Sequence, residues 1–488
     1  MSKGTKARTV LCAAALVGGW VSGHLVLAAA PATAPVTQPD TQPAGPEVVK
    51  LTLHPSATTQ PALQYKLLPD LFDQMPGNAA PLYAVAGDLL PTAPPSGPQG
   101  DFERIDDPGA LPLDQLAHDK ETASILKKCA QGLQYVDLAA RREDVDWGPG
   151  FQQFGFDQDH SSLRRMWVYG VILSLRGRYQ LARGDLPAAL HTMQTSFSMA
   201  RQINQGRPLY DAMAGKGIAA GALYYLVQEW VGLDHSPNLY WALSDLPHPF
   251  LDYKNVPRVQ QGMLYSQFPA LREAAEGKEL PAEQWRQVIR ELIRIDEVDM
   301  QFKPPPNDLD KRLNDIVTRA VPKAREYLLA TKMLEARVQA MPPEQAVGIY
   351  FFHEYQVASD EVWKAWELPY LQSIELLHQA DDRARQGEKD NPFLAVVAYT
   401  WTAKREAGWT DRYIALLRTV EALRNHLARH GQLPERLDQI SDVPLPLDPF
   451  TDKPFSYRTD GHLGTLEALA PPGRWPGSGW RIEMTVAE

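Results

Sequence analysis

The chain of 488 residues is 44% hydrophobic and 22% charged, enough apolar material for at least one large core, which excludes wholesale disorder. Lysine and arginine number 49 against 59 aspartates and glutamates, so the formal net charge is -10, and no run of basic residues stands out. A nucleic acid is therefore not expected as a partner.

The N-terminus has the pattern of a secretory signal peptide. Lys3, Lys6 and Arg8 precede an apolar stretch, and small alanines follow it. We expect residues 1–29 to be removed and the mature protein to be exported to the periplasm or the extracellular space. The alternative is an uncleaved anchor, because the apolar stretch is about long enough to span a bilayer. Residues 30–47 are rich in proline and threonine and are predicted to form an extended linker.

Residues 48–110 are predicted to form an irregular N-terminal arm. β-Branched residues alternate in the run 48–53, which predicts one short strand. Short helical turns are expected between residues 64 and 81, where prolines interrupt the apolar pattern. We expect this arm to lie over a folded body.

Helical periodicity dominates residues 111–410, so the body is predicted to be α-helical, with helices that pack in antiparallel pairs. Ser161 or Ser162 is expected to cap a helix that reaches Arg183, and Pro187 opens the next one. Further helices are predicted over 211–231 and from about Pro281, Asp308 and Pro343.

One stretch of the body resembles part of a known helical repeat. The run 183–190, RGDLPAAL, resembles the turn and the start of the second helix of a tetratricopeptide repeat. No second copy follows about 34 residues later, so a regular superhelical array is not predicted. The expected body is an irregular helical-repeat-like bundle or solenoid.

Residues 411–488 are predicted to form a small α+β tail. A helix over 411–430 leads to Gly431-Gln432-Leu433-Pro434, Asp448-Pro449-Phe450 and Pro454-Phe455-Ser456-Tyr457. This order resembles the globular domain of type II secretion pseudopilins, which implies a small antiparallel sheet packed on the helix. The leader lies far away and is of the secretory type, so the resemblance does not imply filament assembly. The whole chain also resembles a group of uncharacterised exported bacterial proteins, which implies no activity.

No signature of a specific catalytic chemistry occurs in the sequence. Ala214-Gly215-Lys216-Gly217 is the nearest approach to a phosphate-binding loop, but Tyr210 and Gly217 occupy positions that require glycine and a hydroxyl residue. The glycines are instead predicted to let a neighbouring helix approach closely. A G-x-S-x-G nucleophile elbow is missing, and neither His353-Glu354 nor residues 157–160 form a recognised signature.

The histidine pair His426 and His430 shares one helical face, as in a zincin motif. Leu427 stands where that motif has its catalytic glutamate. Both histidines lie in the last turn of the predicted helix, where positive charge is favoured and end carbonyls need donors. We therefore expect a structural role and no bound metal.

Other candidate side chains also have structural explanations. Cys129 falls on an apolar helical stripe and is expected to be buried, and Asp381-Asp382 is interpreted as part of a solvated face. Three aspartates of the tail could supply oxygen ligands to Ca²⁺, although turn chemistry also explains them: Asp448, Asp452 and Asp460. Two aromatic sets have helical spacing and are expected in the core: Tyr224, Tyr225, Trp230, Tyr240 and Trp241, and Trp363, Trp366 and Tyr370.

These patterns predict an exported, non-catalytic interaction or scaffold protein of the cell envelope that binds an envelope or extracellular protein. No catalytic, cofactor-binding or metal-binding residue is assigned. Membrane contact is expected only through the leader, if it is not cleaved. The alternative is a periplasmic or extracellular hydrolase with an acidic cleft assembled from distant helices, which sequence motifs do not reveal.

Overall fold

The computed structural model describes residues 46–90, 107–148, 150–157, 161–205, 208–296, 308–397, 400–470 and 479–487. The predicted signal peptide, nearly all of the predicted linker and residues 158–160 lie outside these ranges. The described chain is mainly helical with a small sheet near the C-terminus, so the predicted fold class is confirmed. Within these ranges, no helix combines the length and apolarity that a membrane span requires.

The helices of the described chain are α1 (Ala80–Leu89), α2 (Leu113–Leu116), α3 (Lys120–Ala140), α4 (Gly150–Phe154), α5 (Ser161–Ala182), α6 (Leu186–Asn204), α7 (Leu209–Gly221), α8 (Gln228–Val231), α9 (Tyr240–Ser244), α10 (Val256–Gln267), α11 (Pro269–Ala275), α12 (Ala282–Ile295), α13 (Leu309–Ala330), α14 (Glu335–Ala340), α15 (Pro343–Trp366), α16 (Tyr370–Gly387) and α17 (Thr400–His430). A π-helical segment, Ala222–Val227, joins α7 to α8. The strands are β1 (Glu47–Leu53), β2 (Met75–Asn78), β3 (Arg142–Asp144), β4 (Ser456–Thr459), β5 (Leu463–Ala468) and β6 (Trp480–Val486).

Local signals account for many helix starts. At the turn between α5 and α6, Gly184 has a φ of 71°, which favours glycine. Asp185 then caps α6, since its Oδ1 accepts a hydrogen bond from the Ala188 N–H at 3.2 Å. Pro187 lies in the first turn, where a missing N–H costs nothing. The predicted starts of α12, α13 and α15 are also confirmed within one residue.

Helices that are close in sequence pack on one another through most of the body. α5 packs on α6 and α6 on α7, while α15 packs on both α13 and α16. Short connections between such neighbours bring the chain back on itself, as in helical hairpins. The first helix, α1, packs on α3, so part of the predicted arm is a regular element of the body.

The strand predicted at 48–53 is present as β1, but its partner was not foreseen. β1 pairs in parallel with β6, with Glu47 opposite Trp480 and Leu53 opposite Val486. The sheet order is β1-β6-β5-β4, and the other two pairings are antiparallel. The N-terminal arm therefore supplies an edge strand of the C-terminal sheet, and the predicted tail at 411–488 is not structurally separate from it.

The long C-terminal helix begins earlier than predicted. It is α17, which starts at Thr400, whereas the sequence suggested a start at Asp411. Gly408 is a weak helix former, and aspartate favours N-cap positions, which explains the expectation. A Cβ atom at Gly408 would lie 2.7 Å from side-chain atoms of Tyr370 and Phe450. Glycine here allows both rings to pack against the continuous helix.

α17 carries a buried ion pair into the core. Glu421 and Arg424 have fully buried side chains, with Arg424 Nη1 3.0 Å from Glu421 Oε2. Glu421 Oε1 accepts a hydrogen bond from the Leu239 N–H at 3.0 Å, and Arg424 donates to the Ser236 carbonyl at 2.9 Å. Burial raises the pKa of Glu421, and the charge of Arg424 opposes this shift. The pair attaches α17 to the loop before α9.

Candidate functional site

An open groove with a volume of about 520 Å³ lies beside the C-terminal part of α17. Thr419 and Pro454 contribute to its wall, together with most of the segment 437–447, called the groove segment below. Leucine, isoleucine, valine and proline make up most of the lining. Leu447 is 47% exposed, so the groove presents apolar surface to solvent. Concave apolar surface of this kind is typical of sites that bind ligands or peptide segments.

The course of the groove segment follows from its prolines and its contacts with the core. Pro444 and Pro446 lack N–H groups and restrict the residues before them, so neither a helix nor a central strand forms here. The side chain of Val443 is buried. The Tyr240 hydroxyl donates a hydrogen bond to the Pro444 carbonyl. The groove segment is thus attached to the helical body by apolar and polar contacts.

The turn after the groove segment is held by a second buried ion pair. Arg412 Nε donates to Asp448 Oδ1 at 2.8 Å, and Arg412 Nη2 donates to Asp448 Oδ2 at 2.7 Å. Asp448 Oδ1 also accepts from the Phe450 N–H at 2.9 Å. The guanidinium carbon lies 4.8 Å from the centre of the Phe450 ring. The Asp-Pro-Phe motif seen in the sequence is therefore a fixed turn whose partner is Arg412.

The three aspartates considered as Ca²⁺ ligands have other contacts. Asp448 is engaged by Arg412. Asp460 Oδ1 accepts a hydrogen bond from the Leu463 N–H at 2.8 Å, in the turn between β4 and β5, and such backbone donors lower the pKa of Asp460. Asp452 has a φ of 52° in the turn after Asp448. Over the described ranges, these three residues do not form a common ligand group.

The histidine pair of α17 meets a carboxylate from the groove segment. His426, His430 and Asp442 each offer one potential ligand atom, and these atoms lie within 4.8 Å of one another. The two imidazole centres are 4.2 Å apart, and His430 Nε2 lies 3.8 Å from Asp442 Oδ2. Burial and the neighbouring His430 lower the pKa of His426. The shared face of the histidines follows from the sequence, but no spacing rule points to Asp442.

The two predicted aromatic sets contribute to the core. In the first, Trp230 and Tyr240 are fully buried, and the Tyr224 hydroxyl accepts a hydrogen bond from Trp480 Nε1 at 2.7 Å. In the second, Trp366 is buried and its Nε1 donates to the Tyr253 carbonyl at 2.9 Å. The helical spacing of the two aromatic sets thus reflects their packing in the core, as expected.

The glycine-rich run on α7 serves helix packing. A Cβ at Gly215 would lie 2.6 Å from the Ala200 carbonyl oxygen on α6, so the two helices need glycine there. Lys216 Nζ lies 2.9 Å from Glu406 Oε2 on α17, and both side chains are largely buried. The charge of Lys216 helps to lower the pKa of Glu406 against the effect of burial. Lys216 is therefore part of an internal ion pair.

The remaining candidates do not converge on one site. His353 stacks on Tyr327 with ring centres 4.6 Å apart, while Glu354 accepts a hydrogen bond from Asn391 Nδ2 at 3.0 Å. Cys129 is 1% exposed in the core, as predicted. The solvated interpretation of Asp381 is wrong, because this side chain is fully buried and pairs with an arginine one helical turn later. The arginine of this ion pair is partly exposed and provides the buried carboxylate of Asp381 with a positively charged partner.

Asp411 is a partly buried carboxylate that the sequence did not single out. It accepts a hydrogen bond from the Phe250 N–H at 2.8 Å. Burial raises the pKa of Asp411 to about 7, and the Phe250 hydrogen bond opposes that shift. Asp411, Arg412, Glu421 and Arg424 lie within or beside the part of α17 whose apolar side chains are buried, among them Ile414, Leu417, Val420 and Leu423. Charged residues at such positions are the sequence signal that could have identified these groups.

Comparison with known proteins adds no relative: no protein-family model, curated protein or solved structure matches the chain.

Proposed function

We propose that this protein is an exported, non-catalytic interaction or scaffold protein of the cell envelope. Its groove would bind an extended apolar segment of an envelope or extracellular protein. The observation that best supports this proposal is the open, apolar groove beside α17, with Leu447 47% exposed at its edge. Export is inferred from the signal-peptide pattern in residues 1–29.

The chemistry of the groove determines what the partner segment would look like. Apolar walls favour apolar side chains, because binding removes both surfaces from water. Asp438 lines the groove with its side chain 60% exposed, and the whole chain has a net charge of -10. Acidic flanking residues on the partner would therefore be repelled, whereas basic flanking residues would be attracted. The same acidic balance argues against a nucleic-acid partner.

The test compares two leucines of similar exposure. Leu447 lines the groove and is 47% exposed, whereas Leu463 on β5 is 51% exposed and lies outside the groove lining. A library of random displayed peptides is selected against the mature protein, and recovered peptides are measured by fluorescence anisotropy. We expect apolar peptides whose affinity falls at least about tenfold with Leu447→Asp, a loss of about 1.4 kcal/mol, and little with Leu463→Asp. Equal binding by both variants, or no recovered peptide, would contradict the proposal.

Export is tested separately. Cell fractionation followed by N-terminal sequencing should recover a periplasmic or secreted chain that begins close to Ala30. Recovery of a chain that retains Met1 in the membrane fraction would instead support the anchor alternative.

An exported hydrolase is the second proposal, and a different observation favours it. The cluster of His426, His430 and Asp442 contains residue types that bind catalytic metals, and Asp442 lies between two residues that line the groove. Incubation of the metal-loaded protein with fluorogenic peptides, esters and glycosides tests this proposal. Turnover that disappears with His430→Ala would favour the hydrolase, and its absence from the whole panel would favour the interaction protein.

A further inference from the structure

The C-terminal turn of α17 and the groove segment bring three potential metal ligands together. His426 and His430 are one helical turn apart, so their side chains share a face. Asp442 approaches them from the groove segment, which places three ligand atoms within 4.8 Å of one another. Gly431, with a φ of 72°, ends the helix in a left-handed turn and starts the chain back toward this face.

His426 is largely buried, and one of its ring nitrogens has no hydrogen-bond partner in the described ranges. It is 8% exposed, and its ring contributes one of the clustered ligand atoms. Its Nδ1 atom is buried, and no side chain or backbone group in the described ranges forms a hydrogen bond with it. A buried polar atom without a partner carries a desolvation penalty. A metal ion bound through Nδ1 would therefore remove a cost that contacts within the described ranges leave in place.

The two oxygens of Asp442 have different surroundings. Oδ1 accepts a hydrogen bond from Arg429 Nη1 at 3.0 Å, which orients the carboxylate. Oδ2 lies 3.8 Å from His430 Nε2, too far for a hydrogen bond. Ligands on one tetrahedral Zn²⁺, with bonds of about 2.0–2.2 Å, lie roughly 3.3–3.6 Å apart, closer than the 4.8 Å within which the three ligand atoms lie here. The side chain of His430 is 52% exposed, so it can rotate to shorten its distances to the other two ligand atoms.

An ion pair between His430 and Asp442 alone would not account for the position of His426 in this cluster. Arg429 already provides Asp442 with a positively charged partner. The helix end is also partly satisfied without histidine, because the Gly431 N–H donates to the Leu427 carbonyl at 2.9 Å. Neither contact gives the buried His426 nitrogen a partner.

We propose that His426, His430 and Asp442 form a binding site for a divalent transition-metal ion of the Zn²⁺ class. Two imidazole nitrogens and one carboxylate oxygen favour such ions over Ca²⁺ and Mg²⁺, which prefer oxygen ligands. Three protein ligands leave a position for water or an external ligand. A bound ion would join the end of α17 to the groove segment, and the site does not depend on the proposed peptide binding.

The experiment measures metal binding to the untagged, full mature protein after it has been stripped with a chelator. Calorimetric titration with Zn²⁺ gives stoichiometry and affinity, and Co²⁺ absorption reports the coordination geometry. The variants are His430→Ala, His430→Gln and Asp442→Asn, which change side chains with access to solvent. His378→Ala is the matched control, because His378 Nδ1 lies 3.2 Å from Asp382 Oδ2 one helical turn away, and among the described residues no third ligand joins this pair.

We expect one Zn²⁺ per chain, retained in excess Ca²⁺, and a tetrahedral Co²⁺ spectrum. The His430 and Asp442 variants should bind at least tenfold more weakly, while His378→Ala should bind like the unchanged protein. Circular dichroism of each variant shows that the fold is retained. The proposal is overturned if the unchanged protein binds no stoichiometric metal, or if the folded variants at His430 and Asp442 bind as tightly as it does. Because no peptide is present, this result is independent of the groove proposal.

Discussion

Arg412 and Asp448 form two parallel hydrogen bonds, of 2.8 and 2.7 Å, that join α17 to the turn after the groove segment. Their side chains are only 1% and 5% exposed. The planar guanidinium matches the two carboxylate oxygens, and a pair of this kind also fixes orientation. This buried contact between residues that are distant in sequence thus helps to fix the groove segment relative to α17, together with the hydrogen bond from the Tyr240 hydroxyl to the Pro444 carbonyl.

Asp448→Asn should destabilise the protein by about 3–5 kcal/mol, because it leaves the Arg412 charge buried without its counter-charge. Asp438→Asn is the control, since Asp438 pairs with Arg436 through a side chain that is 60% exposed. Its effect should stay within about 0.5 kcal/mol. Urea unfolding of the mature protein measures both changes. Equal unfolding midpoints for the two variants would show that the buried pair does not stabilise this turn.

The edge strand β1 should be required for the stability of the C-terminal sheet. Leu53 is fully buried opposite Val486 on β6, whereas Lys50 is on the exposed face of the same strand. Leu53→Ala should cost about 2–5 kcal/mol, because it removes buried methyl groups and leaves a cavity. Lys50→Ala should have little effect. Thermal unfolding checks this difference, and similar melting temperatures for the two variants would mean that β1 contributes little to the sheet.

Local sequence signals predict where helices begin, whereas contacts between distant segments leave no such signal. Pro281, Asp308 and Pro343 mark helix starts that the structure confirms within one residue, because the preference of proline and aspartate for helix N-termini is a local property. The pairing of β1 with β6 links residues 47–53 to residues 480–486, and parallel neighbours leave no turn motif that would reveal it. The sequence did not predict the contact of Asp442 with the two histidines for the same reason. The helix face of His426 is a local property, whereas the loop that meets it is set by tertiary packing.

Two glycines of α7 should respond to alanine in opposite ways. At Gly215 the new Cβ would lie 2.6 Å from the Ala200 carbonyl oxygen, so α6 and α7 would have to separate. At Gly217 a Cβ would meet no atom of the described ranges within 4 Å, and alanine gains up to about 1 kcal/mol of helix propensity. We therefore expect Gly215→Ala to lower the melting temperature and Gly217→Ala to leave it unchanged or raise it. Stabilisation by both variants would show that the close approach of the two helices is not required.

Asp411 should make the stability of the protein depend on pH. Burial raises its pKa from the ordinary value of 3.8 to about 7, so the folded protein binds this proton more tightly than the unfolded chain. The stability that the protonated group contributes is fully present below about pH 4 and is lost as the pH rises through about 7. At higher pH the charged carboxylate remains partly buried and accepts a hydrogen bond from the Phe250 N–H.

Asp411→Asn removes this titration and keeps an oxygen that can accept the Phe250 hydrogen bond. The variant should melt close to the unchanged protein at pH 4 and several degrees above it at pH 8, because only the unchanged protein then buries a carboxylate charge. Asp390→Asn is the control, since that side chain is 70% exposed and its charge stays in water. Its melting temperature should follow the unchanged protein at both pH values. If Asp411→Asn also followed it at both values, Asp411 would titrate near its ordinary pKa, and burial would not control its charge.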